Sequence, residues 1–209
     1  KEIKILSESG RALRAEYGGV VNVGNVDTET VDITTGNNYA VMALYQESKV
    51  GISGKSINIA NNATGVGAVH AGVNDMLERE YEQLAAVSIE GDNIVITNDA
   101  VGGNGVSAMS QGIVDIIGNT TIKADNAILA RGKSYVNINT SAEDTVKMLG
   151  DINFNYDKVT SGSSIDAYID VTLAGAESFW TGNTVVSYGS GKPEDESLLA
   201  VSNAKLTMK

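Results

Sequence analysis

Ala40-Val41-Met42-Ala43 is one copy of a four-residue phrase, alanine–aliphatic–any–alanine, that returns along the chain. The intervals between copies run from 22 to 37 residues. Self-similarity at such intervals is the mark of a repeat architecture, in which each unit buries its apolar face against the next. The other copies are Ala12-Leu13-Arg14-Ala15, Ala68-Val69-His70-Ala71 and Ala127-Ile128-Leu129-Ala130, with looser ones at Gly105-Val106-Ser107-Ala108 and Ser164-Ile165-Asp166-Ala167.

Two further alternating runs follow each phrase. After the copy at residue 40 they are Val50-Gly51-Ile52-Ser53 and Ile57-Asn58-Ile59-Ala60. Side chains two residues apart on a strand share a face, so each run has one apolar face. A strand of this kind buries that face only if successive copies stack in parallel. We therefore predict an all-β fold, a right-handed parallel β-helix with three short strands per coil and about six coils.

The repeat predicts a single domain over residues 1–209. We expect an irregular first coil over 1–38, regular coils over 39–178 and a lead-in to a C-terminal cap over 179–209. Helical spacing predicts short helices within the insertions near 73–85 and 140–151, and a third irregular stretch at 189–197 predicts an acidic loop. Asn61, Asn98 and Asn126 follow the last inward residue of their strands, which predicts an internal asparagine stack. Since Lys1 is not a methionine, we expect an excised or processed piece.

The amino-acid composition narrows the classes of function that this chain can have. The net charge is −11, which disfavours a surface for nucleic acid or anionic lipid because such surfaces rely on clustered Lys and Arg. The chain has no Cys, so thiol catalysis, disulfides and thiolate metal sites are excluded. Residue spacing predicts neither a metal site nor a cofactor site.

The triplets of short strands with Gly and Asn turns resemble the passenger domains of Gram-negative autotransporters (type V secretion). The segment Trp180-Thr181-Gly182-Asn183, followed after an acidic loop by Leu199-Ala200-Val201-Ser202, is similar to the region that leads into the C-terminal folding cap of that family. The resemblance implies export through the outer membrane and a non-catalytic adhesin at the bacterial cell surface. Implied partners are a host or bacterial cell-surface protein or glycan, or a second copy, with no nucleic acid and no membrane insertion by this segment.

The candidate binding residues are the aromatic side chains predicted to be exposed, together with two others in the phrase. His70 is the only histidine. It occupies the outward third place of its phrase, with Met42 and Ser107 as the predicted neighbours, and we expect it to face solvent. The predicted binding surface comprises Tyr81, Tyr168, Trp180, Tyr188, His70 and Arg14.

Two alternatives stay open. β-Helices also carry polysaccharide-active enzymes, and Glu90 with Asp115 is the best carboxylate pair for that chemistry, with Arg131 and Lys133 one coil later as possible lyase bases. The second alternative is a passive stalk that presents a distal domain.

Overall fold

The computed structural model describes residues 1–73, 84–132, 134–139, 143–155, 167–187 and 204–208. All the regular elements in these ranges are β-strands, and their pairings are parallel. The chain is therefore an all-β protein built on one strongly curled parallel sheet. The strands are β1 Glu2–Ser7, β2 Leu13–Glu16, β3 Val20–Gly24, β4 Thr30–Thr35, β5 Val41–Leu44, β6 Lys49–Asn61, β7 Gly67–Gly72, β8 Ala85–Asn98, β9 Asn104–Met109, β10 Gly112–Arg131, β11 Ser134–Ile138, β12 Val146–Asn155, β13 Ala167–Val171, β14 Phe179–Thr181, β15 Thr184–Ser187 and β16 Ala204–Met208.

The pairings of the described strands form three ladders, named here by their inward residues. The alanine ladder runs through β2, β5, β7, β9, the end of β10, the end of β12 and β15. The valine ladder runs through β3, the starts of β6, β8 and β10, then β11, β13 and β16. The isoleucine ladder runs through β1, β4, the ends of β6 and β8, the middle of β10, the start of β12 and β14. The predicted parallel pairing of successive copies is confirmed for the repeats from β2 through β10.

Inward side chains stack in register along every ladder. In the isoleucine ladder the partners are aliphatic over six successive strands before an aromatic residue ends the column. Inward residues of all three ladders belong to one core cluster, which contains Val41, Ile52 and Ile33 together. The column is Ile5, Ile33, Ile59, Ile96, Ile122, Met148 and Trp180.

Two expectations about the later repeats are wrong. The column of aliphatic residues from the repeated four-residue phrase continues from Ile128 to Ile152. The end of β12 is therefore the next strand of the alanine ladder, where we expected the copy Ser164–Ala167. Ala167 instead begins β13 of the valine ladder, where it pairs with Ser134. The predicted helix at 140–149 also fails over its described part. Val146 and Met148 lie fully buried in β12, because their period-2 spacing places both in the core and outweighs local helical spacing.

The asparagine stack is confirmed for two residues and wrong for the third. Asn61 and Asn98 pair in register and are both buried. Asn98 holds the turn that follows Asn61, one coil earlier, through its Nδ2, which donates to the carbonyl oxygens of Ala63 at 3.0 Å and Val66 at 2.8 Å. Asn126 lies beyond a register shift in β10 and donates to Asn104 Oδ1 at 3.0 Å. The stack thus consists of two asparagines, and hydrogen bonds from one of them stabilise a single turn.

Glycines let the long strands bend between ladders. Gly118 lies at the turn of β10 from the valine to the isoleucine ladder, with a φ of 123°. A Cβ at this position would lie 1.7 Å from the carbonyl oxygen of Gly91, which occupies the same corner of β8. Only glycine allows the two backbones to approach this closely.

We expect Ile96→Ala to destabilise the chain by about 2–4 kcal/mol, because it opens a cavity in a fully buried column. Val95→Ala is the matched control, since Val95 is the outward neighbour on the same strand and is 36% exposed. Its cost should stay within about 1 kcal/mol. Urea unfolding of both variants gives the comparison, and equal costs would contradict the assignment of inward and outward faces.

Gly118→Ala should destabilise the chain by more than about 3 kcal/mol or prevent folding, because the new methyl group meets backbone that cannot move aside. Gly65→Ala is the control. Gly65 also has a positive φ, 68°, but an added Cβ would have no atom within 4 Å, so only about 1 kcal/mol of backbone strain is expected. Thermal unfolding followed by circular dichroism distinguishes the two, and similar melting temperatures would refute the close corner contact.

Candidate functional site

His70 lies fully buried in β7, so the expectation that it faces solvent is wrong. Its Nε2 is 3.1 Å from the carbonyl oxygen of Gly72, an acceptor, and therefore carries the ring proton. Its Nδ1 is 2.8 Å from Ser107 Oγ, whose hydroxyl donates to it. The predicted proximity of a histidine to Ser107 is thus confirmed, within the interior of the protein.

The environment keeps His70 neutral. The pKa of His70 is lowered from its ordinary value of 6.5 to about 3, chiefly because the ring is buried; the hydrogen bond to Gly72 opposes this shift, and the positive charges of Arg131 and Arg11 add to it. A neutral histidine beside a serine has the chemistry of a base and a nucleophile. Both side chains are 0% exposed, however, so the pair is closed to a substrate and is a satisfied buried polar contact.

A second, small apolar cluster packs on the outward side of the alanine ladder at β5. Tyr39, Met42 and Leu44 form a buried cluster, against which Tyr45 and Val66 pack. The Tyr39 ring lies 4.6 Å from the His70 ring, measured between centroids. The sequence held a signal for this cluster, because Met42 and Leu129 share the outward column with His70.

The other predicted binding residues do not form one patch in the described structure. Arg14 lies in the same column as His70 but at the first strand, where it forms an ion pair with Glu16 and its side chain is 45% exposed. Trp180 lies half-buried against the core, and its Nε1 donates to the Gly150 carbonyl oxygen at 2.9 Å. Tyr81 and Tyr188, like most of the insertion at 73–85 and the whole loop at 189–197, lie outside the described residues.

Tyr168 has a partner that sequence reasoning missed. Its ring stacks on that of Tyr135 on the outer side of the valine ladder, with centroids 5.2 Å apart and planes 9° from parallel. A second stacked pair, Tyr17 and Tyr45, lies at the corner after the alanine ladder, with centroids 4.4 Å apart. The two strands that carry Tyr135 and Tyr168 are in register, and that register is the signal that could have paired them.

Glu90 and Asp115 both lie on the outer side of the valine ladder, on adjacent strands. They are offset by two positions, since Glu90 pairs with Ile117 and Asp115 pairs with Ser88. Asp115 accepts a hydrogen bond from Asn137 Nδ2 at 2.6 Å. Arg131 is only 7% exposed, so the idea that it serves as a surface base is wrong, and Lys133 lies outside the described residues.

The described residues contain no group of three or more His, Asp or Glu side chains placed to hold a metal ion. Turn carboxylates have partners of other kinds: Asp125 accepts from the Gly102 N–H at 2.7 Å, and Asp99 lies 3.7 Å from Lys123 Nζ. Within the described residues, no helix is long and apolar enough to cross a bilayer.

Comparisons of the chain with known protein families, with curated proteins and with solved structures find no match. The case for a function therefore rests on the ladders and their outward side chains.

We expect His70 to make the chain less stable as the pH falls. In the unfolded chain the imidazole takes up a proton below pH 6.5, whereas in the folded chain it stays neutral down to about pH 3. The unfolded state then binds more protons, so stability is retained above pH 6.5 and is lost between pH 6.5 and 3, by up to about 1.4 kcal/mol per pH unit.

The measurement is the free energy of unfolding of wild type and His70→Gln across this range. Gln keeps hydrogen-bonding groups but does not titrate, so the difference between the two profiles isolates the histidine from the carboxylates. Parallel profiles would contradict the buried neutral state.

Proposed function

We propose that the chain is a segment of a right-handed parallel β-helix from an exported passenger of the autotransporter type, and that it acts at the bacterial surface as an adhesin or self-association module. Each coil consists of one strand from each ladder, in the order alanine, valine, isoleucine.

The observation that carries the proposal is the stacking of three parallel ladders around one core. Closing a curled sheet of this kind into a solenoid buries every inward column and leaves three outer faces. Solenoids use such extended faces for binding. The net charge of −11 keeps an exported rod soluble, and a chain without Cys can cross an oxidising compartment without forming disulfides.

The described side chains favour binding over catalysis. The histidine–serine pair is closed to substrate, and Asp115 is engaged by Asn137. The outer side of the valine ladder, by contrast, presents tyrosines beside carboxylate and amide groups. Tyrosine and hydrogen-bonding groups together are typical of recognition surfaces.

Beads coated with residues 1–209 should clump with one another or attach to epithelial cells or neighbouring bacteria, and an excess of the soluble chain should abolish the effect by competition. Beads coated at equal density with the Gly118→Ala variant, whose fold should be lost, are the control. Absence of both clumping and attachment would contradict the adhesive proposal and favour a passive stalk.

A further inference from the structure

Four successive strands of the valine ladder present two outward rows, referred to below as the two-row array. Each strand contributes one residue to each row, two positions apart, so that both side chains leave the same face. One row is apolar and the other is polar. The apolar row is Ala86, Ile113, Tyr135 and Tyr168, and the polar row is Ser88, Asp115, Asn137 and Asp170.

The array is a regular lattice fixed by strand geometry. Successive rungs lie about 4.8 Å apart and the two rows about 6.6 Å apart. Within the apolar row Tyr135 and Tyr168 stack, and within the polar row Asn137 donates to Asp115. Ser88 is exposed, whereas the tyrosines and the two aspartates are half-buried between neighbouring rungs and keep part of their surface in contact with solvent.

We propose that the two-row array binds an uncharged glycan chain. This inference rests on the proposed function and names the ligand class for that surface. A pyranose ring has an apolar C–H face and a rim of hydroxyl groups. Against the array, the C–H groups pack on Ile113 and on the outward edges of the stacked tyrosine rings, while the hydroxyl groups donate to Asp115 and Asp170 and exchange hydrogen bonds with Ser88 and Asn137.

Charge disfavours acidic ligands at the array. Its carboxylates are Asp115 and Asp170, with Glu90 following Ser88 on the outer face of β8; the neighbouring basic residues are Lys49, which pairs with Ala86, and Lys205, which pairs with Tyr168. This carboxylate excess, on a chain with net charge −11, repels uronate and sulfate groups. It equally disfavours a second copy placed face to face, because the aspartates of the two chains would be brought together and desolvated.

The test is affinity electrophoresis of the full chain in native gels that contain galactomannan or hydroxyethylcellulose, with polygalacturonate as the acidic probe. Wild type should be retarded by at least one uncharged polymer and not by polygalacturonate. Tyr135→Ser/Tyr168→Ser should weaken the retardation at least tenfold, because it removes the packing surface. Tyr17→Ser is the matched control, since this ring is 75% exposed and stacked but lies outside the array, and it should bind as wild type does.

A second variant covers the case in which the double substitution impairs folding. Asp115→Ala leaves the tyrosines in place and should weaken binding severalfold, with far-ultraviolet circular dichroism showing a wild-type fold. Retardation by no uncharged polymer, equal retardation of wild type and variants, or stronger retardation by polygalacturonate would each overturn the proposal.

The bead attachment assay distinguishes a failure of the glycan site from a failure of the adhesin proposal. Wild-type beads that attach, with variant beads that attach equally well, would overturn the glycan site and leave the adhesin proposal intact. Retardation that depends on Tyr135 and Tyr168, from beads that neither clump nor attach, would support the glycan site and contradict the adhesin proposal.

Discussion

The constraint on which the rest of the structure depends is that each strand has one apolar face and can bury it only by stacking on its copies. Every fully buried Ile or Val contributes roughly 1.5–3 kcal/mol, and the column from Ile33 to Ile122 repeats that gain strand after strand. A slip of one residue would turn a whole strand's apolar side chains outward. The core therefore fixes the register of all three ladders, and the register fixes which outward side chains become neighbours.

This constraint explains why much of the fold can be predicted from the sequence. Period-2 spacing identifies Val50 and Ile52 as inward without reference to any other residue, and the phrase then aligns Val41 with Val69 and Val106. Where the phrase is loose, the alignment fails. Asp151-Ile152-Asn153-Phe154 has no alanine at its ends, yet it continues the column, because Ile and Phe satisfy the burial requirement as well as alanine does.

The candidate site was harder to predict. Strand periodicity tells which side chains point inward and which point outward, but it does not tell which outward side chains are covered by other residues and which are exposed to solvent. His70 is outward from the ladder and still has no exposed surface, since Tyr39 and the cluster around Met42 lie over it. The shared column of Met42 and His70 is the part of this contact that the repeat pattern encodes, whereas Tyr39 comes from a turn outside the repeated strands, and the pattern does not place its ring. The same limit applies to Tyr135, whose place in the proposed glycan site depends on its stacking with Tyr168 one strand later.

The outer sides of the ladders consequently differ in what they can do. Along the alanine ladder, the outward residues Met42, His70 and Ser107 are buried, so substitutions in these strands change stability on both faces. Along the valine ladder, only the inward side chains are committed to the core, while the outward residues at Ser88 and Tyr135 keep contact with solvent. A surface whose spacing is held by the core but whose side chains are not part of it can change its ligand without changing the fold. For that reason the valine ladder, and not the buried histidine, is where the function of this chain should be sought.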